Sequence, residues 1–295
     1  MTGPERGFLL LCSHLGDPER KCLTTAQFRK LTQRMRMAAR PKTDRDLLPS
    51  DLKELGYSSD EARRILSLLS EEDRLDRYLH KAEKADCHPL TPFSGHYPRI
   101  LEQRLGDDAP VVLWYRGDLT ILDKPGIGLV GSRELLPENA AFAREAGKQA
   151  AGQGFTLISG NARGADRTAQ DAALSAGGKV VSVLADALTD HKPADGMLLL
   201  CEDSFDLNFS PIRALSRNRV IHAMGRITLV AQSSLKTGGT WDGSVKNLRF
   251  GWSPLFCFND GQESTALLLQ MGAEAVTIPD LRNLPALDPQ IHSFL

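Results

Sequence analysis

Cysteine is scarce in this chain and badly spaced for cross-linking. Five residues, Cys12, Cys22, Cys87, Cys201 and Cys257, are scattered over 295 positions without a C-x-x-C pair. That spacing speaks against a disulfide framework or a zinc site. No apolar run approaches the roughly 18 residues needed to cross a bilayer, so no membrane partner is expected. The start, Met-Thr-Gly-Pro-Glu-Arg, has no basic segment followed by a long apolar run, so no signal peptide is read. A cytoplasmic protein with reduced thiols is the expectation. No histidine pair has the spacing of H-E-x-x-H, so no metal is assigned. G-x-S-x-G is also missing, and with it the hydrolase elbow. The net charge of −1 does not by itself point to nucleic acid.

What is present has a clear order. Residues 1 to about 90 read as helical. Thr24 or Thr25 can cap a helix that carries Phe28, Leu31 and Met35 on one face and stops at Arg40-Pro41. Ser58 with Glu61 forms a capping-box pattern, and Gly56 suits the end of the helix before it. Two short helices about such a turn fit a helix-hairpin-helix DNA module or a small helical bundle. From Arg20 to Arg45 there are nine Lys/Arg and one acid, Asp44. Such a run is either a solvated helix face or a surface that meets nucleic acid.

Turn-rich residues 91–97 mark a boundary. A short helix is expected from Pro98 and a strand over 111–115. Beyond 126, apolar runs at 126–131, 155–159, 179–185, 197–201, 227–231, 254–258 and 274–278 alternate with helix candidates at 137–152, 165–176, 211–224, 240–250 and 261–272. Near-continuous apolar strands separated by helices predict an α/β fold, a parallel sheet with helices on both faces. The expected division is a helical domain over 1–90 and a sheet domain over 91–295.

Three loops in that sheet domain carry the chemistry. Small residues at strand-to-helix turns expose N–H groups that bind phosphate. Gly131-Ser132-Arg133 offers a hydroxyl and a planar guanidinium. Ser159-Gly160-Asn161-Ala162-Arg163-Gly164-Ala165-Asp166 offers Arg163, either for phosphate or as a fork tying loops together. Asp166 there can cap the next helix, orient Arg163 or act as an acid/base. Lys236-Thr237-Gly238-Gly239-Thr240 adds a point charge, and Thr240 is expected to cap the helix that follows. It is not a P-loop, because the lysine precedes the glycines. Gly126-x-Gly128-x-x-Gly131 is a literal dinucleotide motif, but it lies inside the apolar run instead of after it, so no NAD or FAD is expected. Arg217, Asn218 and Arg219 are consecutive on a helix and cannot share a face; one is expected to turn inward to the loops. His191 and His222 fall near possible loop ends.

The ordered set Tyr97-Pro98-Arg99, Leu113 to Asp118, Val130-Gly131-Ser132-Arg133, Ser159-Gly160-x-Ala162-Arg163-Gly164-x-Asp166, Ala173-Leu174 and Arg217-Asn218-Arg219-Val220-Ile221 resembles the DprA/Smf family of DNA-processing proteins. It covers roughly residues 95 to 260. The resemblance implies an extended Rossmann-like sheet behind a small helical domain. It implies a non-enzymatic homodimer that binds single-stranded DNA, needs no cofactor and helps load a RecA-type recombinase during transformation. By position, Gly131, Ser132 and Arg133 would meet DNA phosphate, and Ser159, Gly160 and Arg163 would line the same groove. Arg219 and Lys236 would extend the basic surface, while Asp166, Asn218, Gly238, Gly239 and Thr240 would shape the loops.

The departures are specific. Ala165 replaces the family's usual isoleucine and Gln170 its common histidine, the 185–197 segment is short, and Gly238 to Gly243 differs from the usual Gly-Ser-Leu-x-Thr-Ala run. No C-terminal winged helix is expected. This pattern reads as a divergent branch. The alternative function is a nucleotide-ligand sensor or a nucleotide-cleaving enzyme. Gly238-Gly239-Thr240-Trp241-Asp242 is faintly similar to the glycine-rich loop of phosphoribohydrolases, without their proline and catalytic glutamate.

Overall fold

A computed structural model describes residues 1–38 and 47–288. The expected helix stop at Arg40-Pro41, and Lys42, Asp44 and Arg45 of the basic run, lie outside the described residues. Among the described residues five α-helices come first: α1 (Gly3–Cys12), α2 (Thr25–Met37), α3 (Pro49–Glu54), α4 (Ser59–Leu69) and α5 (Glu72–Lys84). Their starts follow from local chemistry. Thr24 Oγ1 accepts from the N–H of Gln27 at 3.2 Å, and Ser58 Oγ accepts from that of Glu61 at 3.2 Å. Each satisfies a donor that the first turn leaves open. Leu31 of α2 is buried and Phe28 meets Phe8 edge-on at 4.8 Å, but Met35 is 45% exposed because the core around Phe8 ends before it. Leu52, Ala62, Ile65 and Leu68 pack on Phe8 and Leu11 of α1, so the Gly56 turn belongs to a small helical bundle.

The remaining elements are β1 (His88–Leu90), α6 (Arg99–Leu105), β2 (Leu113–Gly117), β3 (Gly126–Val130), α7 (Pro137–Gly152), β4 (Thr156–Ser159), α8 (Ala165–Ser175), β5 (Lys179–Leu184), β6 (Met197–Glu202), α9 (Pro211–Met224), β7 (Thr228–Val230), α10 (Gly238–Phe250), β8 (Leu255–Phe258), α11 (Glu263–Gln270) and β9 (Glu274–Val276). They form one nine-stranded sheet in the order β1-β2-β6-β5-β4-β3-β7-β8-β9. Pairing from β6 through to β9 is parallel, while β1–β2 and β2–β6 are antiparallel. The parallel sheet expected from the apolar runs therefore gains an antiparallel margin.

The boundary expected at 90/91 falls after the first strand. Pro89 of β1 stands opposite Trp114 of β2, and an edge strand tolerates the proline. Leu9 and Leu10 of α1 and Leu75 and Tyr78 of α5 share a core with Trp114, Leu199 and Phe205. The helical segment is thus packed on the sheet through apolar side chains. The Tyr78 and Trp114 rings meet edge-on at 5.3 Å.

The two sheet faces are covered differently. Ala143, Ala146 and Ala150 of α7 and Ala169 and Ala173 of α8 bring those helices close over Ile127, Leu129 and Leu157. On the other face, Val220, Ile221 and Met224 of α9 cover Val130, Ile158 and Val181. The glycines of β3 serve that packing. A Cβ on Gly128 would lie 2.9 Å from Thr228 Oγ1 and 3.2 Å from the carbonyl oxygen of Ile221. The G-x-G pattern thus lets α9 lie against the sheet.

Candidate nucleic-acid interface

Strand β3 runs on to β4, β5 and β6 on one side, and the chain then crosses to β7 on the other. In open α/β sheets, the crevice outside the carboxyl ends of the strands at such a reversal is where ligands bind. Two of the three small-residue loops flank it, and the third adjoins. The first loop, Gly131–Arg133, is tied to both neighbours. Its Ser132 N–H donates to the Gln232 carbonyl at 3.0 Å, and the Ser132 carbonyl accepts from Ala165 N at 3.1 Å. Gly164, at φ +89°, makes the second contact possible, since a Cβ there would sit 2.6 Å from the Arg133 carbonyl carbon and closer still to Ser132 O.

Asp166 shapes the second loop from within. It is buried in the first turn of α8, and its Oδ2 accepts from Gly160 N at 3.1 Å and Ala162 N at 3.2 Å. Burial pushes its carboxyl above the usual range, and neighbouring Arg217 acts against that shift. Arg217, itself 8% exposed, donates to the carbonyls of Gly160 and Val183. Burial lowers its pKa, against the pull of Asp166. Of the three consecutive polar residues on α9, Arg217 is the one that turns inward. Asn218 takes the next direction and donates from Nδ2 to the Gly239 carbonyl at 2.9 Å, holding the third loop.

These contacts enclose a cavity of about 710 Å³, lined among others by Ser132, Arg133, Asn218, Gly239 and Thr240. Arg133 is exposed and has no hydrogen-bond or ion-pair partner among the described residues, and the same holds for Lys236 on the third loop. Arg163 lies in an adjoining cavity that shares Arg133. Its 3.0 Å pair with Glu134 is fully surface-lying, with side chains 74% and 86% exposed. Such a pair contributes little and is readily exchanged for a phosphate.

Five expectations need correction. Ser159 is completely buried beneath the second loop and cannot line a groove. Gly160 is buried as well, and its N–H is spent on Asp166 Oδ2 at 3.1 Å, so it offers no donor to a phosphate. Arg219 points the other way along α9, pairing with the buried Glu202 at 2.7 Å and donating to the Asp108 carbonyl at 3.0 Å, so it adds nothing to this basic surface. Thr240 does not cap α10. The helix starts two residues earlier, at Gly238, with Thr237 in the cap position and no side-chain bond there. Asp166 neither caps through its side chain nor touches Arg163, whose partner is Glu134.

Part of the basic run near the N-terminus is also taken up by contacts within the protein, while Lys21, Lys30 and Arg36 are exposed. Arg20 is buried and donates to the Ser13 and Leu10 carbonyls. Arg29 pairs with Asp107, and Arg34 lies over the Tyr57 ring at 4.6 Å. Arg217 is the residue whose importance the sequence understated; its signal was the impossibility of three adjacent polar residues sharing a face. His191 bonds Asp186 at 2.9 Å, whereas His222 is wholly buried, and desolvation pushes its imidazole down to about 3. Among the described residues, no group of three or more His, Cys, Asp or Glu side chains is arranged to hold a metal. No helix among them is long and apolar enough to cross a membrane.

Comparison with known proteins bears on the same region. A family model described as DNA recombination-mediator protein A matches residues 88–280. Protein Smf of Synechocystis sp. is 28% identical over 179 residues, 55% of this chain and 44% of that protein. DNA processing protein DprA of Streptococcus pneumoniae is 28% identical over 183 residues, 58% of this chain and 64% of that protein. The match therefore spans less than two thirds of either relative. Among solved structures, S. pneumoniae DprA superposes with a TM-score of 0.69 at 23% identity, covering 89% of this chain and 94% of that one. DNA processing protein A of Helicobacter pylori, a structure concerned with single-stranded DNA binding, superposes with a TM-score of 0.56 at 23% identity over 70% and 95% of the two chains. These two superpositions establish the Rossmann-like fold.

Proposed function

The chain belongs to the DNA recombination-mediator protein A family, and from that premise we propose that it is a single-stranded DNA-binding protein of DNA processing. Its groove takes the sugar–phosphate backbone at the end of β3. The observation that carries this reading is Arg133, an exposed and uncommitted guanidinium beside Ser132, at the mouth of a crevice whose walls are backbone-rich loops. A surface built of N–H groups and guanidinium favours phosphate over base edges, so little sequence preference is expected. Gly131, Arg163 and Lys236 extend the same reading to the flanking loops, with Gly160, Asp166, Asn218, Gly238 and Gly239 holding their shape.

On this reading the protein is a cytoplasmic homodimer without catalytic activity. It hands single strands to a RecA-type recombinase, as in transformation. The test is competition on the purified protein. Labelled oligo(dT) is to be displaced by unlabelled oligo(dT) and not by thymidine monophosphate at the same nucleotide concentration. Tight, saturable binding of one mononucleotide with no oligonucleotide affinity at moderate salt would reverse the assignment in favour of a nucleotide sensor.

A further inference from the structure

Beyond Arg133, on the side toward β5, lies a second cavity of about 330 Å³. Four arginines line it: Arg133, Arg163, Arg167 and Arg217. Asp186 on its wall is bonded to His191 Nε2 at 2.9 Å, Arg163 pairs with Glu134 and Arg217 lies beside Asp166, so Arg133 and Arg167 are the lining guanidiniums without a carboxylate partner among the described residues. Arg167 is exposed and donates from Nε to the Asn161 carbonyl at 3.3 Å, and its terminal nitrogens have no partner among the described residues. Arg217 forms the floor: it is 8% exposed and donates to the Gly160 and Val183 carbonyls, so it contributes positive charge beneath the cavity and the exposed arginines contribute the open donors.

We infer that this cavity is a subsite for a terminal phosphomonoester, the phosphorylated end of a DNA strand whose backbone continues past Arg133 into the larger crevice. The chemistry favours an end over an interior phosphate. A phosphomonoester carries about −1.5 to −2 charge and three strong acceptor oxygens. A phosphodiester carries one charge and two free oxygens, too few to engage several guanidinium forks in so small a space. Arg133 lies on both cavities, which makes it the junction between the end subsite and the backbone groove.

This inference rests on the single-strand reading above, and one binding series separates the two. Internally labelled oligo(dT) is to be prepared with a 5′-phosphate, with a 3′-phosphate, or with both ends hydroxylated. One phosphorylated end is expected to bind about tenfold tighter than hydroxyl ends, and the arm that gains says which end enters. Arg167→Ala, a surface change, is expected to bring that ratio close to one. Equal binding of all three by the unmodified protein overturns the end subsite and leaves backbone binding standing. A ratio that persists in Arg167→Ala also overturns the assignment to this cavity. Failure of every oligonucleotide to bind overturns both readings.

Discussion

Arg217 and Asp166 converge on Gly160 beneath the second loop and fix both its faces: its N–H goes to the carboxylate and its carbonyl to the guanidinium. That arrangement joins Arg217 to a glycine 57 positions away, so no local pattern in the sequence announces it. The same holds for Ser159 and Arg219. Each has the right residue type near a loop, but the twist of β4 buries one hydroxyl and the pitch of α9 aims the other side chain at Glu202. Gly164 is where local and tertiary demands coincide. Gly164→Ala places a side chain at φ +89° against the Ser132 and Arg133 backbone, and is expected to destabilise the protein by about 1–3 kcal/mol. Chemical denaturation of the variant checks this, and an unchanged midpoint would deny the close contact of the two loops. His222 makes a second test at this scale. Its burial lowers the folded-state pKa to about 3, so below an unfolded value near 6.5 the unfolded chain binds the extra proton. Stability from this group is complete above pH 6.5 and falls as pH drops toward 3. Between pH 7 and pH 5, the unmodified protein should lose about 2 kcal/mol more than His222→Leu. Equal losses in urea titrations would show that the imidazole is not buried neutral.

The elements differ in how far their sequences disclose them. Strands of a parallel sheet are buried on both faces, so Ile127–Val130, Val180–Leu184 and Leu198–Cys201 stand out as apolar runs. Helices with a capping box are equally open to reading, because Ser58 and Glu61 form their bonds within one turn. β1 was not legible: three residues containing a proline have no period, and only their pairing with β2 makes them a strand. The start of α10 was misplaced for a related reason. Thr240 looks like a cap, but Gly238 at φ +82° begins the helix sooner, and Asn218 then holds Gly239 from the neighbouring helix. Asn218→Ala removes that hold and leaves a carbonyl without its donor. Loss of about 1 kcal/mol, or roughly fivefold in oligo(dT) affinity, is expected if the third loop is a wall of the groove. An isothermal titration showing full affinity in the variant would remove the loop from the interface.

At the scale of the whole molecule, the helical segment and the sheet share the core around Trp114, Tyr78 and Phe205, and one reversal of strand order places the ligand crevice. Composition conceals this, since a net charge of −1 over 295 residues hides the uncommitted cations gathered on one sheet edge. Arg20, Arg29 and Arg34 of the N-terminal run are held by Ser13, Glu71, Asp107 and Tyr57, so a count of charges along the chain overstates what that stretch leaves free and understates the loops. The central claim is that DNA phosphate is gripped at Arg133, and it is tested most directly by titrating oligo(dT) across salt with the unmodified protein and Arg133→Ala. For single strands, log K falls with log salt by about 0.7 for each phosphate neutralised. Arg133→Ala is predicted to remain folded, bind more weakly and show a slope shallower by about 0.7. A folded Arg133→Ala protein with the affinity and salt slope of the unmodified one would contradict the account.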